Sequence, residues 1–252
     1  MKVAVLGCGP AGMLVAHAVA MGGHDLDIYS KAVKSPIGGA QYLHHPISGL
    51  TEQNPDGIIT FYHEGEPEGY ARKIYGDAAA VTSWSQFDSG IHRIWNLREA
   101  YDNLWATYSR SIIDGGIYQE VLHDLFEKYD RVFSTIPRAA ICRSKDHMFV
   151  KQTVYIDVNP DMIVPADCVI YSGVPETPWY RASNIFGVPG VEYPVSVGPG
   201  EGIIPVHKPL ATNCDCFEDT GQFFAMGRYG EWRKGVLTSD AYLRAAGLLE
   251  GL

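Results

Sequence analysis

The glycine-rich stretch GCGPAG at residues 7–12 constrains the fold of this chain more than any other feature. A short apolar run at residues 3–6 precedes it, as expected of a strand that is buried on both faces. A nearly all-apolar segment at residues 13–20 predicts a buried helix, and residues 26–29 predict a second strand. Strand, G-x-G-x-x-G turn, helix and second strand together predict a βαβ unit that binds a dinucleotide.

Each residue of this turn has a separate physical role in such a unit. Gly7 allows the tight turn, Gly9 lets the backbone approach a pyrophosphate, and Gly12 lets the helix pack closely on the strand. Pro10 suits the first turn of the helix, since the first helical N–H group has no partner inside the helix. The free N–H groups here, including that of Ala11, and the helix dipole favour phosphates. We therefore predict that all five residues contact the cofactor.

The end of the second strand departs from the usual dinucleotide pattern. An Asp or Glu that binds the ribose hydroxyls is expected there, whereas this chain has Ser30 followed by Lys31. A serine hydrogen bond is weaker than that of a carboxylate, so we expect a looser hold on the adenosine end. Lys31 and Lys34 leave NADP open as the cofactor, because a lysine suits a 2′-phosphate.

A second glycine pair favours FAD instead. Gly38 and Gly39 stand shortly beyond the ribose position and are followed by Ala40 and Gln41. The segment resembles the loop of flavoproteins that runs beside the pyrophosphate and the ribityl chain. The resemblance is to the glutathione-reductase-type superfamily of FAD-dependent oxidoreductases, in the branch with amine oxidases, protoporphyrinogen oxidase and UDP-galactopyranose mutase. It implies that FAD is the cofactor and that these four residues contact it.

Two distant segments carry the same resemblance. Residues 132–137, VFSTIP, resemble a strand followed by Ser/Thr-Ile-Pro that recurs in this branch. Near the C-terminus, GRYGEW at residues 227–232 resembles the mutase group and compact phage and actinobacterial FAD oxidoreductases. In this branch a closing helix points its N-terminus at the flavin edge where negative charge develops on reduction. The residues that the resemblance assigns to flavin binding here are Gly227, Arg228, Val236, Leu237 and Thr238.

The resemblance implies an α/β fold in which a Rossmann-like FAD-binding domain is joined to a discontinuous α+β substrate domain. Residues 1–50, 110–138 and 220–252 would build the FAD-binding domain. Residues 51–109 and 139–219 would build the substrate, or cap, domain. The second of these inserts alternates apolar and polar residues between turn dipeptides, which predicts an antiparallel sheet over the flavin.

Four polar side chains are candidates for catalytic contacts with the flavin or the substrate. His44 and His45 follow the second glycine loop closely, and one of them would act as a base or position the substrate; the alternative is a packing or surface role. Arg181 suits a substrate carboxylate or phosphate, and Tyr180 suits a hydrogen bond to the substrate or stacking on it. The alternative for this pair is an aromatic–arginine contact on a sheet face.

The cysteines predict neither a disulfide framework nor a metal site. Five is an odd number in a chain of ordinary globular composition. Cys214 and Cys216 form a C-x-C pair near His207, but one nearby histidine does not give the paired spacing of zinc sites. A disulfide between cysteines this close in sequence would be strained. We therefore expect no metal.

The resemblance implies an enzyme, an amine oxidase-like FAD-dependent oxidoreductase. Only one dinucleotide fingerprint is present in the sequence, which favours reoxidation by oxygen over a second domain for NAD(P)H. The branch implies hydride transfer from an amine or amino-acid-type C–N bond to flavin N5, and the compact phage members imply an amino-acid-modified thymidine in DNA. The alternatives are a non-redox flavoenzyme of the sugar mutase type and a flavin-binding protein without its own chemistry.

Charge and hydropathy bound the partners. The formal net charge of −9 repels polyanions and counts against nucleic acid, so we expect a small-molecule or modified-nucleotide substrate. No apolar run reaches the ~18 residues of a membrane span, and the N-terminus lacks the pattern of a signal peptide. We expect a cytoplasmic protein without a membrane partner, in the host cytoplasm if a phage encodes it.

Overall fold

The computed structural model of the chain describes residues 1–31, 33–86, 90–115, 119–198, 200, 202–217 and 220–250. The strands in these ranges are β1 (Lys2–Leu6), β2 (Asp25–Ser30), β3 (Gly57–Glu64), β4 (Gly90–Ile94), β5 (Ile112–Asp114), β6 (Arg131–Ser134), β7 (Phe149–Asp157), β8 (Cys168–Ser172), β9 (Arg181–Ile185), β10 (Val188–Pro194), β11 (Ile203–Thr212) and β12 (Phe223–Ala225). The α-helices are α1 (Pro10–Met21), α2 (Pro67–Tyr75), α3 (Leu97–Tyr108), α4 (Gln119–Lys128), α5 (Arg138–Ile141), α6 (Gly227–Glu231) and α7 (Thr238–Glu250). Within the described ranges, every helix is too short or too polar to cross a bilayer.

The first sheet is parallel throughout and has the strand order β12-β6-β1-β2-β5. β1 lies at its centre, and its residues 3–6 are fully buried, as expected of a strand covered on both faces. Parallel neighbours need crossover connections, and α1 is the crossover between β1 and β2. The predicted βαβ unit is therefore present.

α1 packs against α3 and α7 on one face of this sheet. Its residues from Gly12 to Val19 are all buried, because the helix is apolar on every side and needs cover all round. α3 lies in the range 51–109 that the sequence assigns to the substrate domain, and it packs on α1 of the predicted FAD-binding range. The Tyr101 hydroxyl of α3 donates a hydrogen bond to the Cys8 carbonyl oxygen (2.8 Å) and so ties α3 to the glycine turn.

The second sheet has the order β11-β7-β10-β9-β8-β3-β4. It contains the antiparallel strands predicted for residues 139–219, and it also takes in β3 and β4 from residues 51–109. All pairings between the described strands within residues 139–219 are antiparallel, whereas the pairing of β8 with β3 from the first insert is parallel. Strands from two distant inserts thus share one sheet, and the division of the chain into two domains stays a prediction.

A close contact between Gly7 and Gly12 fixes the start of α1 at the end of β1. Gly7 has a φ of +101°, in the left-handed region that favours glycine. A Cβ atom at Gly12 would overlap the Gly7 carbonyl oxygen, so the helix lies closer to the turn than any side chain permits. The Gly7 N–H group also donates to the Tyr29 carbonyl oxygen (2.9 Å), which joins the turn to β2.

Substitution of Gly12 tests this contact. Gly12→Ala should lower the free energy of unfolding by about 3 kcal/mol, because the added methyl group forces α1 away from β1. Urea denaturation measures the change. Gly247→Ala is the control: this helical glycine is exposed with open space around it, and alanine there should stabilise by up to ~1 kcal/mol. Equal stability of Gly12→Ala and the wild type would contradict the packing described.

Candidate functional site

A cavity of about 360 Å³ lies between the two sheets. The parallel sheet contributes Thr135, directly after β6, and Met226, directly after β12. The second sheet contributes side chains from several strands, among them Ile156 of β7, Val169 of β8 and Lys208 of β11. In open α/β sheets ligands bind in the crevice outside the carboxyl ends of the strands, and this cavity occupies that position.

Two helices begin at the cavity. Pro10 and Ala11 at the start of α1 line it, and so do Val236, Leu237 and Thr238 at the start of α7. The first N–H groups of a helix lack partners inside the helix, and the helix dipole is positive at this end. The start of α1 therefore favours an anionic group in the cavity. At the start of α7 the Asp240 carboxylate already accepts a hydrogen bond from the Leu237 N–H group (2.9 Å). The C-terminal helix α7 packs on α1, which follows the glycine turn.

Gly9 is the open position of the glycine turn. Its φ of −67° and ψ of 176° form an extended conformation that any residue adopts. A Cβ atom there would meet only Ser35 Oγ, at 3.7 Å, within contact distance. At Gly7, in contrast, a Cβ atom would lie 2.6 Å from Thr135 Oγ1. The described part of the fold therefore does not itself require a glycine at position 9, although Gly9 is not among the residues that line the cavity.

The second half of the loop after β2 reaches the cavity. Gly38, Ala40 and Gln41 line it, and the Gln41 side-chain amide donates to the Gly38 carbonyl oxygen (2.7 Å). Gly39 is not among the lining residues. It faces the second sheet, because a Cβ atom there would lie 2.9 Å from Glu192 Oε1. The loop thus packs against the second sheet with one residue and presents its neighbours to the cavity.

The first half of this loop lies apart from the cavity lining. The Ser30 hydroxyl donates to Cys8 Sγ (3.0 Å), so it is engaged within the fold. Lys31 is exposed, and the Lys34 ammonium group pairs with the Asp102 carboxylate (2.6 Å). Of the two lysines that leave NADP open in the sequence, one is therefore occupied by an acidic partner.

Arg228 lies in the short helix α6, between β12 and α7. Gly227 and Arg228 both line the cavity, and a Cβ atom at Gly227 would lie 3.0 Å from Ala11 Cβ. Arg228 donates from Nη2 to the Pro209 carbonyl oxygen (3.3 Å), while its buried Nε atom has no hydrogen-bond partner within the described ranges. A buried donor without an acceptor costs free energy. Nε is therefore a candidate contact for an acceptor on a ligand.

A buried ion cluster forms the side of the cavity that faces the second sheet. The Glu192 carboxylate, in a residue that is 1% exposed, accepts at Oε1 from Arg181 Nε (2.8 Å) and Nη2. At Oε2 it accepts from Lys208 Nζ (2.5 Å) and from the Tyr180 hydroxyl (2.5 Å). Arg181, Glu192 and Lys208 all line the cavity. Two cations thus surround a single carboxylate.

Burial and mutual attraction shift the pKa values in this cluster. Burial lowers the pKa of Lys208 to about 8, although the nearby Glu192 carboxylate opposes the shift. Burial alone would raise the pKa of Glu192, but Arg181 and Lys208 hold it well below its usual range. At neutral pH the cluster therefore carries one negative and two positive charges, and Arg228 adds a third cation to the same cavity.

The structure separates the residues predicted to be catalytic. His44 lines the cavity and packs on Tyr42 with ring centroids 4.5 Å apart, whereas His45 is exposed and lies outside the lining. Arg181 lines the cavity. Tyr180 is predicted to touch a substrate, but it is 2% exposed, absent from the lining and hydrogen-bonded to Glu192. Its position is that of a support for the ion cluster.

Glu192 and Lys208 are missing from the predicted site. They stand on different strands, β10 and β11, and neither belongs to a recognisable motif. One signal is present in hindsight: Glu192 interrupts the otherwise uncharged segment VPGVEYP. A charge in a strand that is buried on both sides needs a partner of opposite sign. The sequence does not reveal which distant side chain supplies that partner.

Comparisons with known proteins test the fold. No protein-family model and no curated protein matches the sequence. Among solved structures, reduced UDP-galactopyranose mutase is similar over 99% of this chain and 93% of its own, with a TM-score of 0.59 and 11% identity. Aklavinone-11 hydroxylase with FAD and aklavinone is similar over 99% of this chain and 61% of its own, with a TM-score of 0.55 and 11% identity. A geranylgeranyl bacteriochlorophyll reductase-like protein from Thermoplasma acidophilum is similar over 99% of this chain and 77% of its own, with a TM-score of 0.53 and 12% identity.

The chain has the fold of FAD-binding, Rossmann-like flavoproteins. The α/β fold class and the Rossmann-like domain predicted from the sequence are confirmed. At this level of sequence identity, the structural similarity shows a shared fold but does not show a shared substrate. The resemblance to compact phage or actinobacterial members stays a prediction.

Removal of the Glu192 charge tests the ion cluster. Glu192→Gln should lower the free energy of unfolding by about 3 kcal/mol at pH 7, since it leaves two buried cations without their carboxylate. Because the folded state lowers the pKa of Glu192, its contribution is complete above the unfolded value of ~4.3 and is lost as the pH falls further. The difference between variant and wild type should therefore be constant from pH 5 to 7 and shrink below pH 4.

Urea denaturation at several pH values measures this difference. Glu127→Gln on α4 is the matched control, because Glu127 is exposed and the change should stay within ~0.5 kcal/mol. A Glu192→Gln variant that is as stable as this control would show that the cluster does not form as described.

Proposed function

We propose that the chain is an FAD-dependent oxidoreductase that binds FAD in the cavity between its two sheets. One observation carries the proposal: two helix N-termini and a net positive ion cluster meet in one cavity, in a chain with the fold of FAD-binding flavoproteins. The start of α1, with its open position at Gly9, would hold the diphosphate. Gly38, Ala40 and Gln41 would flank the cofactor, and Thr238 at the start of α7 would lie against the ring.

The substrate that we propose is an amine or an amino-acid-type compound with a carboxylate group. Arg181, Lys208 and Arg228 line the cavity, and within the cluster one carboxylate opposes them. This surplus of positive charge favours an anion. The unpartnered Nε atom of Arg228 suits a charge-assisted hydrogen bond to a carboxylate. FAD, when bound, would accept the hydride that leaves the carbon next to the amine nitrogen.

The same cations prepare the amine for oxidation. An ammonium group must first lose a proton, since its lone pair forms the C=N bond as the hydride leaves. Nearby positive charges lower the pKa of a bound ammonium group and favour its neutral form. Lys208, whose pKa burial lowers to about 8, is suited to take this proton at slightly alkaline pH. His44, which also lines the cavity, is a second candidate for the base.

An amino-acid-modified thymidine belongs to the proposed substrate class. Its amino-acid carboxylate matches the cationic cavity, while the net charge of −9 counts against a long DNA partner. A free amino acid or a modified nucleotide is therefore the form of substrate that we favour. Oxygen is the acceptor that we propose, because the sequence carries one dinucleotide fingerprint.

A non-redox reaction of the sugar mutase type is the second candidate. It is favoured by the similarity to UDP-galactopyranose mutase over 93% of that chain. The cationic cavity would also suit the diphosphate of a nucleotide sugar. The two candidates differ in one observable: an amine substrate reduces the bound flavin without any added reductant, whereas a nucleotide sugar leaves its oxidation state unchanged.

Gly9→Val tests FAD binding without disturbing the fold. Valine can adopt the backbone conformation at this position, and its side chain would fill the space proposed for the diphosphate. The variant should fold with a stability within ~1 kcal/mol of the wild type and lose FAD uptake by at least about 100-fold in affinity. Flavin absorption after gel filtration and a titration by fluorescence quenching measure this. Gly247→Val, on an exposed helix surface, should bind FAD normally; retention of stoichiometric FAD by Gly9→Val contradicts the assignment.

Arg228→Met tests the substrate carboxylate. In anaerobic stopped-flow experiments, amino acids that bleach the wild-type flavin should do so with kcat/KM about 10- to 100-fold lower in the variant, through loss of one charge-assisted contact. Amines that lack a carboxylate should show little difference between the two proteins. Arg233→Met is the control, because Arg233 is 65% exposed and pairs with Glu231 at the surface.

The pH dependence of this reaction follows from Lys208. KM for carboxylate substrates should rise above about pH 8, as Lys208 loses its charge.

If no amine bleaches the flavin and a nucleotide sugar turns over only after reduction of the protein, the mutase reaction replaces the oxidase.

A further inference from the structure

Three cysteines and one histidine meet outside the cavity. The ligand atoms of Cys142, His147, Cys214 and Cys216 all lie within 4.8 Å of one another. His147 Nδ1 lies 3.2 Å from Cys142 Sγ and 3.5 Å from Cys216 Sγ. The two sulfur atoms of Cys142 and Cys216 are 3.8 Å apart. None of the four residues lines the cavity described above.

These distances match a tetrahedral zinc site. Zinc binds thiolate sulfur at ~2.3 Å and imidazole nitrogen at ~2.0–2.1 Å, so tetrahedral ligands lie about 3.8 Å apart for two sulfurs and about 3.5–3.6 Å apart for sulfur and nitrogen. The three distances among Cys142, His147 and Cys216 agree with these values. The distances to Cys214 Sγ are at most 4.8 Å, which a small side-chain rotation can shorten.

The surroundings of the cluster suit a bound ion. The Asp215 carboxylate lies 3.7 Å from His147 Nε2, the ring nitrogen that faces away from the sulfurs. Metal-bound histidines commonly orient this second nitrogen towards a carboxylate. Arg138, which is 4% exposed, donates from Nη2 to the Cys216 carbonyl oxygen (3.1 Å). Its charge would offset the excess negative charge of three thiolates around a divalent ion.

The cluster joins two passages of the chain between the sheets. Cys142 and His147 lie between β6 and β7, where the chain leaves the parallel sheet for the second sheet. Cys214 and Cys216 lie between β11 and β12, where it returns. A bond between these passages would fix the two sheets relative to each other.

We propose that Cys142, His147, Cys214 and Cys216 bind a structural zinc ion. Thiolate ligands combined with imidazole favour zinc, and Cys₃His is an established structural ligand set. Four protein ligands leave no open coordination position, so the ion binds no substrate. Its role is to fasten the two passages together. This site does not depend on the proposed flavin chemistry.

The proposed site differs from the expectation of no metal. The C-x-C pair is combined in the sequence with His207, but the structure places His207 Nδ1 at the Thr153 hydroxyl (2.9 Å). Cys142 and His147 complete the set instead, from a segment that is distant in sequence. Local spacing could not reveal ligands that only the return of the chain to the parallel sheet brings together.

Metal analysis of the full-length chain tests the proposal. Protein purified without chelators from zinc-containing medium should carry one zinc ion per chain. Cys142→Ser and Cys216→Ser should each lower the zinc content at least about tenfold, since a serine hydroxyl does not replace a thiolate. Cys168→Ser is the matched control: Cys168 is 2% exposed, and its thiol donates to the Pro165 carbonyl oxygen, outside the cluster. Full zinc content in both cluster variants overturns the proposal.

Cobalt substitution identifies the types of ligand in the wild-type protein. It does not depend on whether a cysteine variant folds. Co²⁺ added to zinc-depleted wild type should give the visible bands of a tetrahedral site together with thiolate-to-cobalt charge transfer, and Zn²⁺ should abolish both. A wild type that lacks zinc and gives no such spectrum overturns the proposal. So does a Cys142–Cys216 disulfide, which would leave three free thiols of the five in the sequence. FAD content is measured in the same samples. A protein that binds zinc but no FAD contradicts the flavin proposal and leaves the zinc proposal intact.

Discussion

The close approach of Gly12 to the Gly7 carbonyl group is the constraint on which the rest of the structure depends. It fixes the start of α1 at the carboxyl end of the central strand, with its N–H groups directed to the crevice between the sheets. Because α1 is apolar on all sides, it can be stable only under cover, and α3 and α7 supply that cover. The packing of α7 on α1 in turn brings Thr238 to the cavity. One backbone contact thus leads to two helix N-termini at one site.

The ion cluster is not explained by a gain in folding stability. Burial of a carboxylate with two cations gains little stability over an apolar packing of the same volume, because the charges lose their hydration. Glu192 is nevertheless fully satisfied by four hydrogen bonds, and Arg181 and Lys208 both face the cavity. This arrangement, costly for folding but facing the cavity, is consistent with the anionic ligand proposed above. The lowered pKa of Lys208 is a direct consequence of the same burial.

The cavity exists because the chain repeatedly passes between two sheets. Each sheet alone would offer a surface, and the passages hold the two surfaces on opposite sides of one open cavity. The Cys and His cluster lies on two of these passages. A structural ion at that point and a ligand in the cavity would therefore act on the same geometry, one by holding the sheets and the other by filling the space between them.

The sequence by itself determined the βαβ unit, the positions of its glycines and the buried nature of α1, since these features depend on residues within one or two turns of the chain. Through a family resemblance it also indicated the Rossmann-like fold and the place of the C-terminal helix. Only the tertiary structure decided that β3 pairs with β8, that α3 covers α1, and that Glu192 meets Lys208. Only the tertiary structure also brings the sulfur atoms of Cys142 and Cys216 together. Such contacts join segments with no periodic relation in sequence, so they are set by how whole elements pack and not by any local pattern.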